Sequence, residues 1–250
     1  MLPYATLSLV CLLLLLGLYS LHKLRLVHIL LHQVHDLTRQ QPATLFRQLE
    51  ALQGLYVELA LRRSLPDTRG WAASPDFLLE LVRHARAAHP LTVVECSSGT
   101  STLVLARCMQ LNGAGKVYSL EHDLHFAEQT RHQLHQHGLH GWAEVLYAPL
   151  LPHSLDGERW PWYATEGLPA AGIDMLVIDG PPQATRAQAR FPAGPLLFPR
   201  LSDSAAVFLD DAARADELAI VQRWQQAYPD LALSSRQCEK GCAVLQRRAR

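Results

Sequence analysis

The chain opens on an apolar block. From Leu2 to Leu21 no side chain is charged, and Leu12 to Leu16 is an unbroken leucine run. Twenty helical residues rise about 30 Å, the thickness of a bilayer's hydrocarbon core, so residues 1–22 are expected to be a transmembrane anchor. No Lys or Arg precedes the run, and Tyr19-Ser20-Leu21 offers no small-residue cleavage site, which argues against a removed signal peptide. Beyond it, Leu24, Val27, Leu31 and Val34 recur at coiled-coil-like spacing. Pro42 interrupts the pattern, and Leu45, Leu49, Leu52, Tyr56 and Leu59 resume it. Residues 23–70 therefore read as a helical juxtamembrane linker. Its apolar stripe either pairs with a second copy in a homodimer or lies against the domain or the membrane surface.

From residue 71 to 250 the pattern changes to alternating strands and helices. Ser74-Pro75 starts a helix with Phe77, Leu78, Leu81, Val82 and Ala85 on one face. Strands are expected at Leu91–Glu95, Val117–Glu121, Ala143–Tyr147, Ile173–Ile178 and Ala205–Leu209. Helices are expected at Ser101–Leu111, Leu124–His137 and Asp216–Ala227, and Leu231–Leu233 with Ala243–Leu245 forms a closing hairpin. This alternation predicts an α/β fold, a doubly wound and mostly parallel seven-stranded sheet, with ligands at the carboxyl ends of its strands.

Charge narrows the partners. Lys+Arg and Asp+Glu are equal at 23 each, so no basic excess points to nucleic acid, and a small-molecule, lipid or glycan substrate is expected. Lys23, Arg25, Arg39 and Arg47 all follow the apolar block, which places the large domain in the cytoplasm by the positive-inside rule. Cys11, Cys96, Cys108, Cys238 and Cys242 do not form a disulfide framework, and free thiols suit the same compartment.

Acids stand at the expected strand ends: Glu95, Glu121, Asp179, and the pair Asp210-Asp211. The loop after the first strand, Cys96-Ser97-Ser98-Gly99-Thr100-Ser101, has one glycine where a dinucleotide turn needs three, which disfavours NAD. A strand-end carboxylate can instead attract an ammonium group, and Glu121 can accept hydrogen bonds from ribose hydroxyls.

Val93-Val94-Glu95-Cys96-Ser97-Ser98-Gly99-Thr100-Ser101-Thr102 resembles motif I of the class I methyltransferases, closest to a subgroup whose loop reads E-x-G-S-G-x-S-T, with Ser97 in place of a glycine. Tyr118–Asp123 resembles the acidic motif that follows, and Ile173–Pro182 resembles motif IV. The resemblance implies a Rossmann-like methyltransferase fold that binds S-adenosylmethionine. Glu95, Ser97, Gly99 and Ser101 would cradle its methionine end, Glu121 would hold the ribose, and His122 and Ala148 would lie beside the adenine. Asp179 would face the methyl-transfer site as the catalytic residue.

Asp179, Asp210 and Asp211 offer three hard oxygen ligands, a set suited to Mg²⁺. Catechol-type O-methyltransferases use a similar trio, but their lysine after the fourth-strand Asp is replaced here by Gly180-Pro181-Pro182-Gln183, so no general base is identified. The expected function is a membrane-anchored, S-adenosylmethionine-dependent O-methyltransferase, in which the trio either holds Mg²⁺ to assist the reaction or leaves Asp210-Asp211 to cap the following helix and Asp179 to orient the cofactor. The alternative is a degenerate cofactor-binding domain acting as a membrane scaffold. His132 and His135 are expected to face solvent. Trp160-Pro161-Trp162-Tyr163 reads equally as a substrate wall or as packing under a long loop.

Overall fold

The computed structural model describes residues 2–247, with side chains from residue 12 onward except at 33–34 and 36–41. Two compact units divide it, one up to Arg47 and one from Gln48. The described residues of the first are all helical. Helix α1 (Leu2–Glu58) runs through Pro42, so the gap in the apolar spacing there does not break the helix. Over residues with described side chains, Leu12–His32 is long and apolar enough to cross a membrane, with mean hydropathy 1.4 and none of it buried.

The last turns of α1 belong to the second unit. Leu55 and Leu59 are fully buried there, and Gln48 Nε2 donates to Asp76 Oδ2 at 2.7 Å. The compact unit thus starts well ahead of residue 71, where the pattern suggested that a linker ends. Helix α2 (Pro75–Ala88) follows, with Phe77, Leu78, Leu81, Val82 and Ala85 buried as their spacing predicts.

The sheet is built from β1 (Thr92–Cys96), β2 (Lys116–Glu121), β3 (Ala143–Tyr147), β6 (Ile173–Ile178), β7 (Leu201–Asp210), β8 (Leu231–Arg236) and β9 (Cys242–Arg247), in the order β3-β2-β1-β6-β7-β9-β8. The first five of these pair in parallel, while β9 runs antiparallel to both β7 and β8. Helices α3 (Thr100–Asn112), α4 (Leu124–Gln136) and α6 (Ala215–Ala227) follow β1, β2 and β7, and the short α5 (Ala193–Leu197) precedes β7. This is the doubly wound, mostly parallel seven-stranded sheet that the strand–helix alternation predicts.

One crossover departs from the alternation. Between β3 and β6 stands an antiparallel hairpin, β4 (Leu150–Leu155) and β5 (Glu158–Tyr163), in place of a helix. Trp160, Trp162 and Tyr163 are buried, so this aromatic run packs against the sheet rather than forming an open wall.

Side chains alternate across β1, so Val93 and Val94 enter different cores. Leu55, Leu59, Phe77, Val104 and Met109 cover one face, and Trp162, Tyr163, Phe198 and Trp224 cover the other. His132 and His135 are exposed, and Cys238 and Cys242 flank the turn before β9 as free thiols. The order of strands reverses between β1 and β6, the point at whose carboxyl ends folds of this kind bind their ligands.

Candidate active site

The expected acids lie along this edge because β1, β2, β6 and β7 run the same way. Glu95 sits near the end of β1 and is fully buried. Its Oε2 accepts from Thr102 Oγ1 at 2.6 Å and from Ser119 Oγ at 3.1 Å, while Oε1 has no partner. Burial pushes its carboxyl up to about 7 against the pull of the Ser101, Thr102 and Ser119 hydroxyls. Ser97 and Gly99, in the loop after β1, have φ of +127° and +144°. Ser97 therefore holds a backbone conformation that favours glycine, the residue that the E-x-G-S-G-x-S-T pattern has there. Gly99 caps α3, and a Cβ built on it would meet no atom within 4 Å. Ser101 lies in the first turn of α3, nearly buried.

Glu121 ends β2. Ser98 donates to Oε2 through its backbone N–H at 3.1 Å and its hydroxyl at 2.9 Å. The Asp123 N–H donates to Oε1 at 3.0 Å, and His122 Nδ1 lies 3.0 Å from the same oxygen. Burial alone would raise the Glu121 carboxyl, but His122, the Asp123 N–H and Ser98 outweigh it and hold it below its ordinary value. The same contact raises the His122 imidazole. Ala148, just past β3, gives its N–H to the Glu121 carbonyl at 2.7 Å, so that donor is committed to the backbone.

At the ends of β6 and β7, Asp179, Asp210 and Asp211 meet with carboxylate oxygens all within 4.8 Å of one another, as their strand-end positions suggested. Both Asp210 oxygens and Asp211 Oδ1 are buried without hydrogen-bond partners. Burial raises the Asp210 carboxyl well above its ordinary range, and the charges of Asp179 and Asp211 add to that. Asp179 is raised by burial too, with Arg190 opposing. Its side chain keeps 14% exposure while that of Asp211 keeps 3%, and Asp210 is fully buried, so Asp179 is the most accessible acid of the three.

Sequence reasoning missed Arg190, which lies among these acids. It sits beyond the acidic motif in Ala189-Arg190-Phe191-Pro192, where nothing in the spacing marks it as buried. Tyr163 was also missed as a neighbour of the site. A Cβ on Gly180 would come within 2.2 Å of its hydroxyl, and that hydroxyl is buried without a partner. The aromatic run signalled burial but not where it would land.

Residues 94–212 match the family model of a methyltransferase domain, which spans both acidic clusters. Solved structures with the same fold include the S-adenosylhomocysteine-bound methyltransferase PaMTH1 of Podospora anserina (13% identity, TM-score 0.56, covering 80% of this chain and 88% of that one). The O-methyltransferase of Bacillus cereus bound to S-adenosylhomocysteine is 18% identical at TM-score 0.55, over 79% of this chain and 91% of that one. TomG of Streptomyces achromogenes, an O-methyltransferase of tomaymycin synthesis solved with S-adenosylmethionine, is 18% identical at TM-score 0.52, over 81% and 89%. A comparison with curated protein sequences gives no match.

Proposed function

We propose that this protein is a membrane-anchored O-methyltransferase that moves a methyl group from S-adenosylmethionine to a hydroxyl of a small molecule, lipid or glycan. The observation that carries the reading is the placing of two acidic centres at the carboxyl ends of adjacent parallel strands, Glu95 with Glu121 on β1 and β2 and the Asp179 cluster at the ends of β6 and β7. The residues fit the methyl donor. Glu95 Oε1 is a buried carboxylate oxygen in want of a donor, and the loop at Gly99 leaves open space at the helix N-terminus. S-adenosylmethionine, when bound, supplies an electrophilic methyl on a sulfonium.

Glu95 and the Ser97–Ser101 loop then hold the methionine end, Glu121 the ribose, and His122 and Ala148 flank the adenine. Methylating a hydroxyl leaves one proton to remove from the acceptor oxygen, and Asp179 receives it. Its raised pKa suits that task near neutral pH. Orientation of donor and acceptor supplies most of the remaining acceleration.

Mg²⁺ is left out of this mechanism. The trio has the oxygen ligands for it, but a guanidinium already holds Asp179 Oδ1 and Asp211 Oδ2. The O-methyltransferase neighbours and the apolar helix support the hydroxyl acceptor and the anchor, and homodimerisation through the exposed leucines of α1 goes with that anchor.

The scaffold reading draws on one feature, the Glu121 carboxylate closed onto Ser98, Asp123 and His122. Transfer of radiolabelled methyl groups to a panel of phenolic, lipid and glycan hydroxyls separates the two readings. Asp179→Asn is expected to lower turnover by about 10²–10⁴-fold while S-adenosylhomocysteine still binds. Full turnover by that variant would refute the role of Asp179, and no transfer by wild type to any hydroxyl would favour the scaffold.

A further inference from the structure

Arg190 is 4% exposed and lies between β6 and β7. Its Nη2 donates to the Asp179 carbonyl at 2.8 Å, to Asp179 Oδ1 at 3.1 Å and to Asp211 Oδ2 at 2.7 Å. Its Nη1 donates to the Asp210 carbonyl at 2.9 Å. One guanidinium thus touches all three residues of the acidic trio and ties the ends of the two central strands together.

We propose that Arg190 is the resident cation of this site and takes the place that a divalent metal would occupy among Asp179, Asp210 and Asp211. The proposal rests on reading the trio as the acceptor side of the methyltransferase site. Three facts support it. An arginine keeps its charge at any working pH, so this cation cannot leave by losing a proton. The neighbouring loop is pinned, because Trp224 Nε1 donates to the Phe191 carbonyl at 3.0 Å and Arg223 lies 3.5 Å over the Phe191 ring. Asp211 is further compensated by Arg214 at 2.9 Å and Lys240 at 4.0 Å, so two more cations stand beside the guanidinium where a metal would have to enter. A metal at bonding distance from the trio would also lie against the guanidinium, and like charges in a buried site repel strongly. Arg190 acts on the acceptor through Asp179, whose carbonyl and carboxylate it both holds. It is a positioning residue.

The test is a titration of full-length protein with Mn²⁺, followed by electron paramagnetic resonance, and with Mg²⁺ by calorimetry. Wild type, Arg190→Met and Arg190→Lys are compared, with S-adenosylhomocysteine titrated in parallel. Wild type is expected to bind neither metal appreciably, and Arg190→Met is expected to gain at least about tenfold in Mn²⁺ affinity. Arg190→Lys keeps the charge and is expected to fold and stay metal-free, even where Arg190→Met fails to fold. Mn²⁺ binding by wild type as tight as by Arg190→Met would overturn the proposal, and so would gained binding by Arg190→Lys. A folded Arg190→Met that binds no metal overturns it too, because the trio would then be no cation site. Absence of S-adenosylhomocysteine binding to wild type, with the metal results as expected, would instead defeat the methyl-donor reading and leave Arg190 its role.

Discussion

Ser97 shows how a single residue can be legible as a departure and illegible in its consequence. The sequence places a serine where the resembling subgroup has glycine, and the structure gives it φ of +127°. A side chain in that region costs about 1–3 kcal/mol, and strain of this kind persists where surrounding contacts hold it. Here the Ser97 N–H donates to the Leu120 carbonyl at 3.0 Å and its carbonyl accepts from Ser119 Oγ. Ser97→Gly is therefore expected to raise stability by about 1 kcal/mol, read as a higher denaturation midpoint, less the entropy that glycine adds to the unfolded chain. A lower midpoint would show that the serine makes a contact worth more than its strain. Strand-end acids such as Glu95 and Asp179 were readable because a charge closing an apolar run is rare in a core. Arg190 was not, because a lone arginine in a loop looks the same whether solvated or buried, and only the fold brings three carboxylates to it.

Most elements were legible, and those that were not share a cause. The central strands are short apolar runs between punctuating glycines and prolines, so β1, β2, β3 and β6 fall within a residue or so of expectation. The hairpin β4–β5 was read as an irregular insertion because Trp160-Pro161-Trp162-Tyr163 has three aromatics and a proline without clean alternation. Its two strands pair with each other and stay apart from the main sheet, which tolerates the proline. The end of α1 was hidden for another reason: its apolar spacing is the same whether a helix faces a membrane, a partner or a core. Burial separates these. Leu55 is fully buried while Leu49, on the same helix, is 62% exposed. Leu55→Ala is expected to cost about 2–5 kcal/mol in a urea melt, and Leu49→Ala less than about 0.5 kcal/mol. Equal, small effects would mean that the last turns of α1 are not part of the domain core.

At the scale of the molecule, the apolar helix and the domain raise separate questions. Leu12–His32 is long and apolar enough to span a bilayer, and the basic residues that follow the leucine run place the domain on the cytoplasmic side in our proposal. Full-length protein is then expected to stay with membranes through alkaline carbonate washing, with the domain digested only after protease is admitted to the cytoplasmic face. Release by carbonate, or digestion from the outer face, would contradict the anchor or its orientation. The domain's claim is simpler, since everything proposed for Asp179 and Arg190 presumes a methyl donor held by Glu95 and Glu121. Calorimetric titration of S-adenosylhomocysteine into the full-length protein tests that most directly. Wild type should bind one equivalent, and Glu121→Ala should lose binding while remaining folded. Heat-silent titration of wild type, or equal binding by Glu121→Ala, would contradict the account.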